Sequence, residues 1–220
     1  MKKTLALGIV VVMLLACVGA VSANLVSNGG FETPVAVGSF TPNIASGLTN
    51  WNIESGNIDL IGTLWIPAGP SQSIDLSGCE RATISQTIDT VTDKSYKLSF
   101  ELAGNTYDAP NIKTVEVFWD GASKGTYNFD TTGHSTTDMG WEKVEISNLD
   151  AKSGSTVIKF KDVTPVGTSP SECVGVALDD IAVELQTTTP VPEFPTMALP
   201  AALIVGLIGA VLFIQKSKDE

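Results

Sequence analysis

From residue 24 to about residue 186, apolar and polar side chains alternate with a period of two, and Gly, Pro, Asn and Asp interrupt the pattern at short intervals. Such alternation sends successive side chains to opposite faces of an extended backbone, so each run reads as a strand with one buried face. Tyr96, Leu98, Phe100 and Leu102 mark one face, and Val115, Val117 and Trp119 a second. Val144 with Ile146, and Ile158 with Phe160, mark two more, while Ile58, Leu60, Ile74, Leu76, Ile84 and Ile88 carry the pattern upstream. No stretch of useful length here repeats at the helical period. Many short strands with turn signals between them predict an all-β, antiparallel β-sandwich of the jelly-roll kind. Near its end the pattern changes phase. Val174, Val176 and Leu178 have even numbers, whereas Ile181, Val183 and Leu185 have odd ones, so the inward face switches at Asp179-Asp180. A β-bulge makes that switch; a sheet-corner twist with two solvated carboxylates is the alternative.

The ends follow other rules. Residues 1–23 have the layout of a secretory signal: Lys2 and Lys3, an apolar stretch from about Leu5 to Leu15, and Val21-Ser22-Ala23 at the cleavage point. Residues 187–196 are a Thr/Pro-rich spacer ending in Pro192-Glu193-Phe194-Pro195. Residues 197–214 are uncharged and apolar, long enough for a transmembrane helix. Lys216 and Lys218 in the tail 215–220 place that tail on the cytoplasmic side and the sandwich outside.

The formal net charge is −11, and the ends contribute Lys2, Lys3, Lys216 and Lys218 against only Asp219 and Glu220. The exported part is therefore more acidic still, which disfavours nucleic acid as a partner and suits cation binding or plain solubility. Cys17 falls in the signal segment, leaving Cys79 and Cys173 in the mature chain. An exported pair can form a disulfide; two buried thiols are the alternative. The one histidine, His134, stands in a loop-like segment with no partner at a recognisable spacing, so it reads as an exposed side chain and no nucleophile–base pair is apparent.

Two resemblances add to this reading. Pro192-Glu193-Phe194-Pro195, the apolar span and the short basic end resemble the archaeal PEF-CTERM sorting signal, which implies recognition by an archaeosortase-type transpeptidase and attachment to a surface lipid. A plain transmembrane anchor is the alternative. The segments Asn24–Pro34, Gly47–Trp51, Ile58–Gly62, Gln72–Gly78, Ile84–Ile88, Phe129–Gly133, Met139–Trp141 and Ala177–Ile181 resemble the choice-of-anchor C family. That family is related to plant cell-wall proteins of unknown function and, more distantly, to galactose-binding-like jelly rolls that include carbohydrate-binding modules.

The resemblance implies a structural Ca²⁺ between the first segment and the last strand, held by Glu32 and Asp179 with carbonyls near Asn28 and Gly30. The phase change at Asp179 points to the same place. For carbohydrate, Trp51, Trp119 and Trp141 sit in strand contexts and read as core, whereas Trp65 lies in a loop-like stretch and is the expected exposed platform. Asp59, Gln72, Arg81, Asn105 and Tyr107 are the expected polar contacts. The functional expectation is a non-catalytic surface module for envelope or matrix carbohydrate or for surface-layer components. A structural or adhesive protein and a hydrolase using acidic residues are the rivals.

Overall fold

The computed structural model describes residues 23–165 and 173–186. The signal segment apart from Ala23, the spacer with Pro192, Glu193 and Phe194, the apolar span 197–214 and the tail 215–220 lie outside the described residues.

Eleven strands are described: β1 (Phe40–Ile44), β2 (Asn52–Ser55), β3 (Ile58–Ile61), β4 (Ser73–Asp75), β5 (Thr83–Asp89), β6 (Ser95–Gly104), β7 (Ile112–Trp119), β8 (Ala122–Asp130), β9 (Glu142–Asp150), β10 (Ser155–Asp162) and β11 (Val176–Leu185). They form a six-stranded sheet, β1-β3-β4-β11-β6-β9, and a five-stranded sheet, β2-β5-β10-β7-β8, with every described pairing antiparallel. This is the expected all-β sandwich. Tyr96, Leu98, Phe100 and Leu102 line the inner face of β6, and Val115, Val117 and Trp119 that of β7, all of them buried. Phe160 packs edge-on to Phe100, with centroids 5.2 Å apart, and edge-on to Trp51 at 6.2 Å, joining the two sheets through aromatic contacts.

Of the two readings of the phase change, the structure has the bulge. The register of β11 against β6 shifts between Asp179 and Ala182, and Asp180 takes φ of 45°. The segment before β1 runs beside the far half of β11: Leu25 N–H donates to Val183 C=O, and Ile181 N–H donates to Gly29 C=O. The first and last parts of the sandwich are thus adjacent.

Strand β11 lies between β4 and β6 in the six-stranded sheet. At its start, the ends of β4 and β6, the 76–81 turn and the 104–111 loop come together. At its finish, Gln186 N–H donates to Ser95 C=O, and the described sandwich ends there.

Candidate functional site

Three of the expected carbohydrate contacts, Asp59, Asn105 and Tyr107, converge on one pocket of about 580 Å³. It lies at the start of β11, and its wall also includes Phe40, Asn43, Leu64, Asp108, Val174 and both Cys79 and Cys173. Tyr107 is 62% exposed, an aromatic ring presented at the rim. Asp59 is nearly buried; its Oδ1 accepts the Asn43 N–H at 2.8 Å. That N–H reaches it because β1 is irregular between Thr41 and Ile44, where Asn43 adopts φ of 56°. Burial raises the Asp59 pKa, and the Asn43 N–H opposes the rise.

A buried polar frame supports the pocket from beneath. Asp75, opposite Asp59 across β3 and β4, has no exposure. Its Oδ2 accepts from Asn105 Nδ2 at 2.7 Å, and its Oδ1 accepts from the N–H groups of Ser77 at 2.9 Å and Gly175 at 3.0 Å. Asn105 Oδ1 in turn accepts the Tyr107 N–H at 3.0 Å. Asp162 Oδ1 accepts from Thr164 N–H and its Oδ2 from Val176 N–H. Lys113, fully buried on β7, donates to the carbonyls of Asp108 at 3.0 Å and Val174 at 3.1 Å, so one cation grips two walls of the pocket. Burial pushes Asp75 well above the ordinary carboxylate value and also raises Asp162, while it lowers Lys113. Asp75 and Asp162 partly counter the effect on Lys113. A disulfide joins Cys79 to Cys173, 94 positions apart in sequence, and ties the 76–81 turn to the approach to β11. These ties leave a pocket whose walls are held in place before any ligand arrives.

The sequence carries a signal for part of this frame. Lys113 and Asp162 continue the inward parity of Val115–Val117–Trp119 and of Ile158–Phe160. Charged residues in register with a core face are buried with partners or not at all. Asn43 and Asp108 carried no comparable signal.

Other expected contacts lie elsewhere. Trp65 is not exposed: 2% of it reaches solvent, and its Nε1–H donates to Ser73 Oγ at 2.9 Å. The 62–69 loop folds back against the sheet, held by Trp141 Nε1–H donating to Ile66 C=O and by Ile66 N–H donating to Thr136 C=O. Trp65 therefore lines the floor of a separate cleft of about 610 Å³, where the polar side chains are loop hydroxyls alone. Gln72 is buried and committed; it donates to the carbonyls of Phe31 and Pro34 and accepts the Ala36 N–H. Arg81 donates to the carbonyls of Thr164 and Pro165 rather than lining the pocket. His134 is half-buried instead of exposed, with its ring tilted on Phe129 at 5.2 Å and stacked closely over Gly140.

The residues expected to hold Ca²⁺ do gather. A Cβ placed on Gly30 would lie 3.7 Å from Asp179 Oδ1 and 3.9 Å from Glu32 Cγ. Their oxygens are nevertheless already used. Glu32 Oε1 accepts from the N–H groups of Ser71 and Gln72, and Oε2 from Ser71 Oγ. Asp179 Oδ2 accepts from the N–H groups of Ala68 and Gly69, and Oδ1 from that of Asp180. Asn28 spends its side chain on Thr33 and Thr49 and its carbonyl on Phe31 and Trp51. Among the described residues no group of three or more His, Cys, Asp or Glu is placed to hold a metal. Six to eight oxygens are needed around Ca²⁺, and these residues do not fit it. The 68–72 loop occupies the carboxylates instead. Burial pushes the Asp179 carboxyl up to about 7 against the pull of its N–H donors.

Residues 24–184 match the family described as "Protein of unknown function (DUF642)". The chain belongs to the DUF642 family. Residues 191–209 match the PEF-CTERM archaeal protein sorting domain. The chain is also similar to Halomucin of Haloquadratum walsbyi, 29% identical over 185 residues, which cover 80% of this chain but only 2% of Halomucin. Among solved structures, the chain is similar to TmCBM61 in complex with β-1,4-galactotriose, at 15% identity and a TM-score of 0.47, covering 75% of this chain and all of the other. It is also similar to carbohydrate-binding module CBM36 in complex with calcium and xylotriose, at 18% identity and a TM-score of 0.39, covering 62% and 93%.

Proposed function

We propose that this DUF642 chain is a non-catalytic carbohydrate-binding module displayed on the outer cell surface. The observation that carries the reading is the pocket at the start of β11. An exposed aromatic ring, Tyr107, stands beside carboxylate and amide groups from Asn43, Asp59, Asn105 and Asp108. A sugar ring offers C–H faces to an aromatic platform and hydroxyl edges to acceptors of this kind. The frame of Asp75, Lys113 and the disulfide lowers the ordering cost of binding. The cleft over Trp65 lacks an amide or charged lining side chain. The groove that Lys97, Glu101 and Asp180 help to line has no aromatic residue.

Display follows from the ends. The signal segment exports the chain, and the sorting-domain match at residues 191–209 supports retention through an archaeosortase-type transpeptidase or a membrane span. The resemblance to choice-of-anchor C proteins, which carry varied surface anchors, agrees with this. The test is a glycan array probed with the full-length protein and its Tyr107→Ala variant. Saturable binding to a glycan, lost in the variant, supports the reading. Binding to surface-layer proteins in place of glycans favours the adhesive alternative, and turnover of a chromogenic glycoside favours the hydrolase.

A further inference from the structure

We infer that the pocket selects sugars bearing a methyl group, deoxy or O-methylated, over their fully hydroxylated counterparts. The inference rests on the carbohydrate reading and adds the ligand class. On β3, Asp59 and Ile61 lie on one face, with Ile58 and Leu60 on the other. Around Asp59 the pocket is polar. Asn43 donates its N–H to Asp59, and Asn105 bonds to Asp75, the cross-strand neighbour of Asp59. Toward Ile61 the pocket is apolar. Phe40 is paired with Ile61, and Leu64 follows in the turn after β3. Phe40 and Leu64 are half-buried and line the pocket, while Ile61 is buried.

The backbone donors at the apolar end are committed. The N–H groups of Gly62, Thr63 and Leu64 all donate to Ser39 C=O, and Pro42 has no N–H. A hydroxyl pressed against Phe40 and Leu64 gives up its water and finds no N–H to replace it among these groups. A methyl group in the same place forfeits no hydrogen bond and takes apolar surface out of water. Asp59 and Ile61 stand about 7 Å apart along the strand, comparable with the length of one sugar ring. One ring can therefore set hydroxyls at Asp59 and a methyl against Phe40 and Leu64. Tyr107 meets the C–H face that methylated and hydroxylated sugars share, so it contributes affinity without this selectivity.

The experiment uses the full-length protein on an array of glycans ending in the members of two matched pairs, and affinities are then measured in solution. One pair is L-fucose against L-galactose, which tests the deoxy source. The other is O-methylated glucose against glucose, which tests the ether source. In at least one pair the methyl-bearing member is expected to bind about tenfold more tightly, and the pair that shows the gap identifies the source. Leu64→Asn keeps side-chain size and should close the gap by weakening the methyl-bearing member, leaving the hydroxylated one unchanged. Phe40→Thr, on the edge strand β1, should do the same and decides the matter if the first variant does not fold. Glycan binding that Tyr107→Ala abolishes but that shows no gap in either pair overturns the methyl preference alone. A gap that both variants leave unchanged does so too. If no glycan binds, the carbohydrate reading fails and the preference with it.

Discussion

Single side chains at the pocket separate binding from stability. Tyr107 is largely solvent-exposed, so Tyr107→Ala should weaken glycan binding about tenfold or more, the loss of one aromatic anchor. Its melting temperature should stay within a degree or so of wild type; calorimetry of the apo protein checks the second half of that statement. Gly175 should behave in the opposite way. A Cβ there would meet Asp162 Oδ2 and would sit 2.7 Å from Asp75 Oδ1, between two buried carboxylates with nowhere to move. Gly175→Ala should cost about 1–3 kcal/mol, seen as a lower denaturation midpoint, with binding weakened because the frame shifts. At this scale the sequence was partly readable. Asn105 and Tyr107 form a polar cluster just past an apolar strand, which marks a loop at a sheet end. Gly62, Pro67 and Gly69 give the segment around Trp65 the composition of an exposed loop. Whether a loop packs inward is decided by partners remote in sequence, here Trp141 and Thr136, and no local pattern encodes them.

At the scale of elements, two clasps hold the sandwich at different points. The bulge in β11 was legible as a change of phase, since a period-two pattern cannot switch faces without an extra residue. What the bulged carboxylate does was not legible, because its donors are backbone N–H groups of the 68–69 turn, and backbone groups leave no trace in residue identity. A chelator should therefore leave the melting temperature of the full-length protein unchanged, and added Ca²⁺ should not raise it. Glu32→Ala should lower it equally with and without Ca²⁺, because the loss is of hydrogen bonds to Ser71 and Gln72. A chelator-sensitive melt that Glu32→Ala abolishes would show that an ion displaces the loop. The second clasp, Cys79–Cys173, closes a long loop. Its reduction should cost about 4–5 kcal/mol in the chain-entropy picture and also weaken glycan binding, since both sulfurs border the pocket. Thermal melts and affinities measured with and without a dithiol reductant check both effects.

For the whole molecule, burial raises the carboxyls of Asp59, Asp75, Asp162 and Asp179, the last to about 7. The folded chain therefore holds more protons than the unfolded one between the unfolded carboxylate value, about 3.9, and those raised values. Stability from these groups falls as pH rises through that window. The melting temperature should be a few degrees higher at pH 5 than at pH 7.5, and Asp179→Asn should narrow the difference; a flat or reversed profile would count against it. Placement of the pocket also has a mechanical side. Strand β11 begins at the pocket and ends beside Gln186, and it is hydrogen-bonded to β4 and β6. In a molecule tethered through its C-terminus and gripping a ligand, tension runs along that strand. Its ladder bonds then share the load in shear rather than peeling apart one after another, and Cys173, just ahead of β11, passes force covalently to the 76–81 turn. Under such a tether, tension would load the domain along β11.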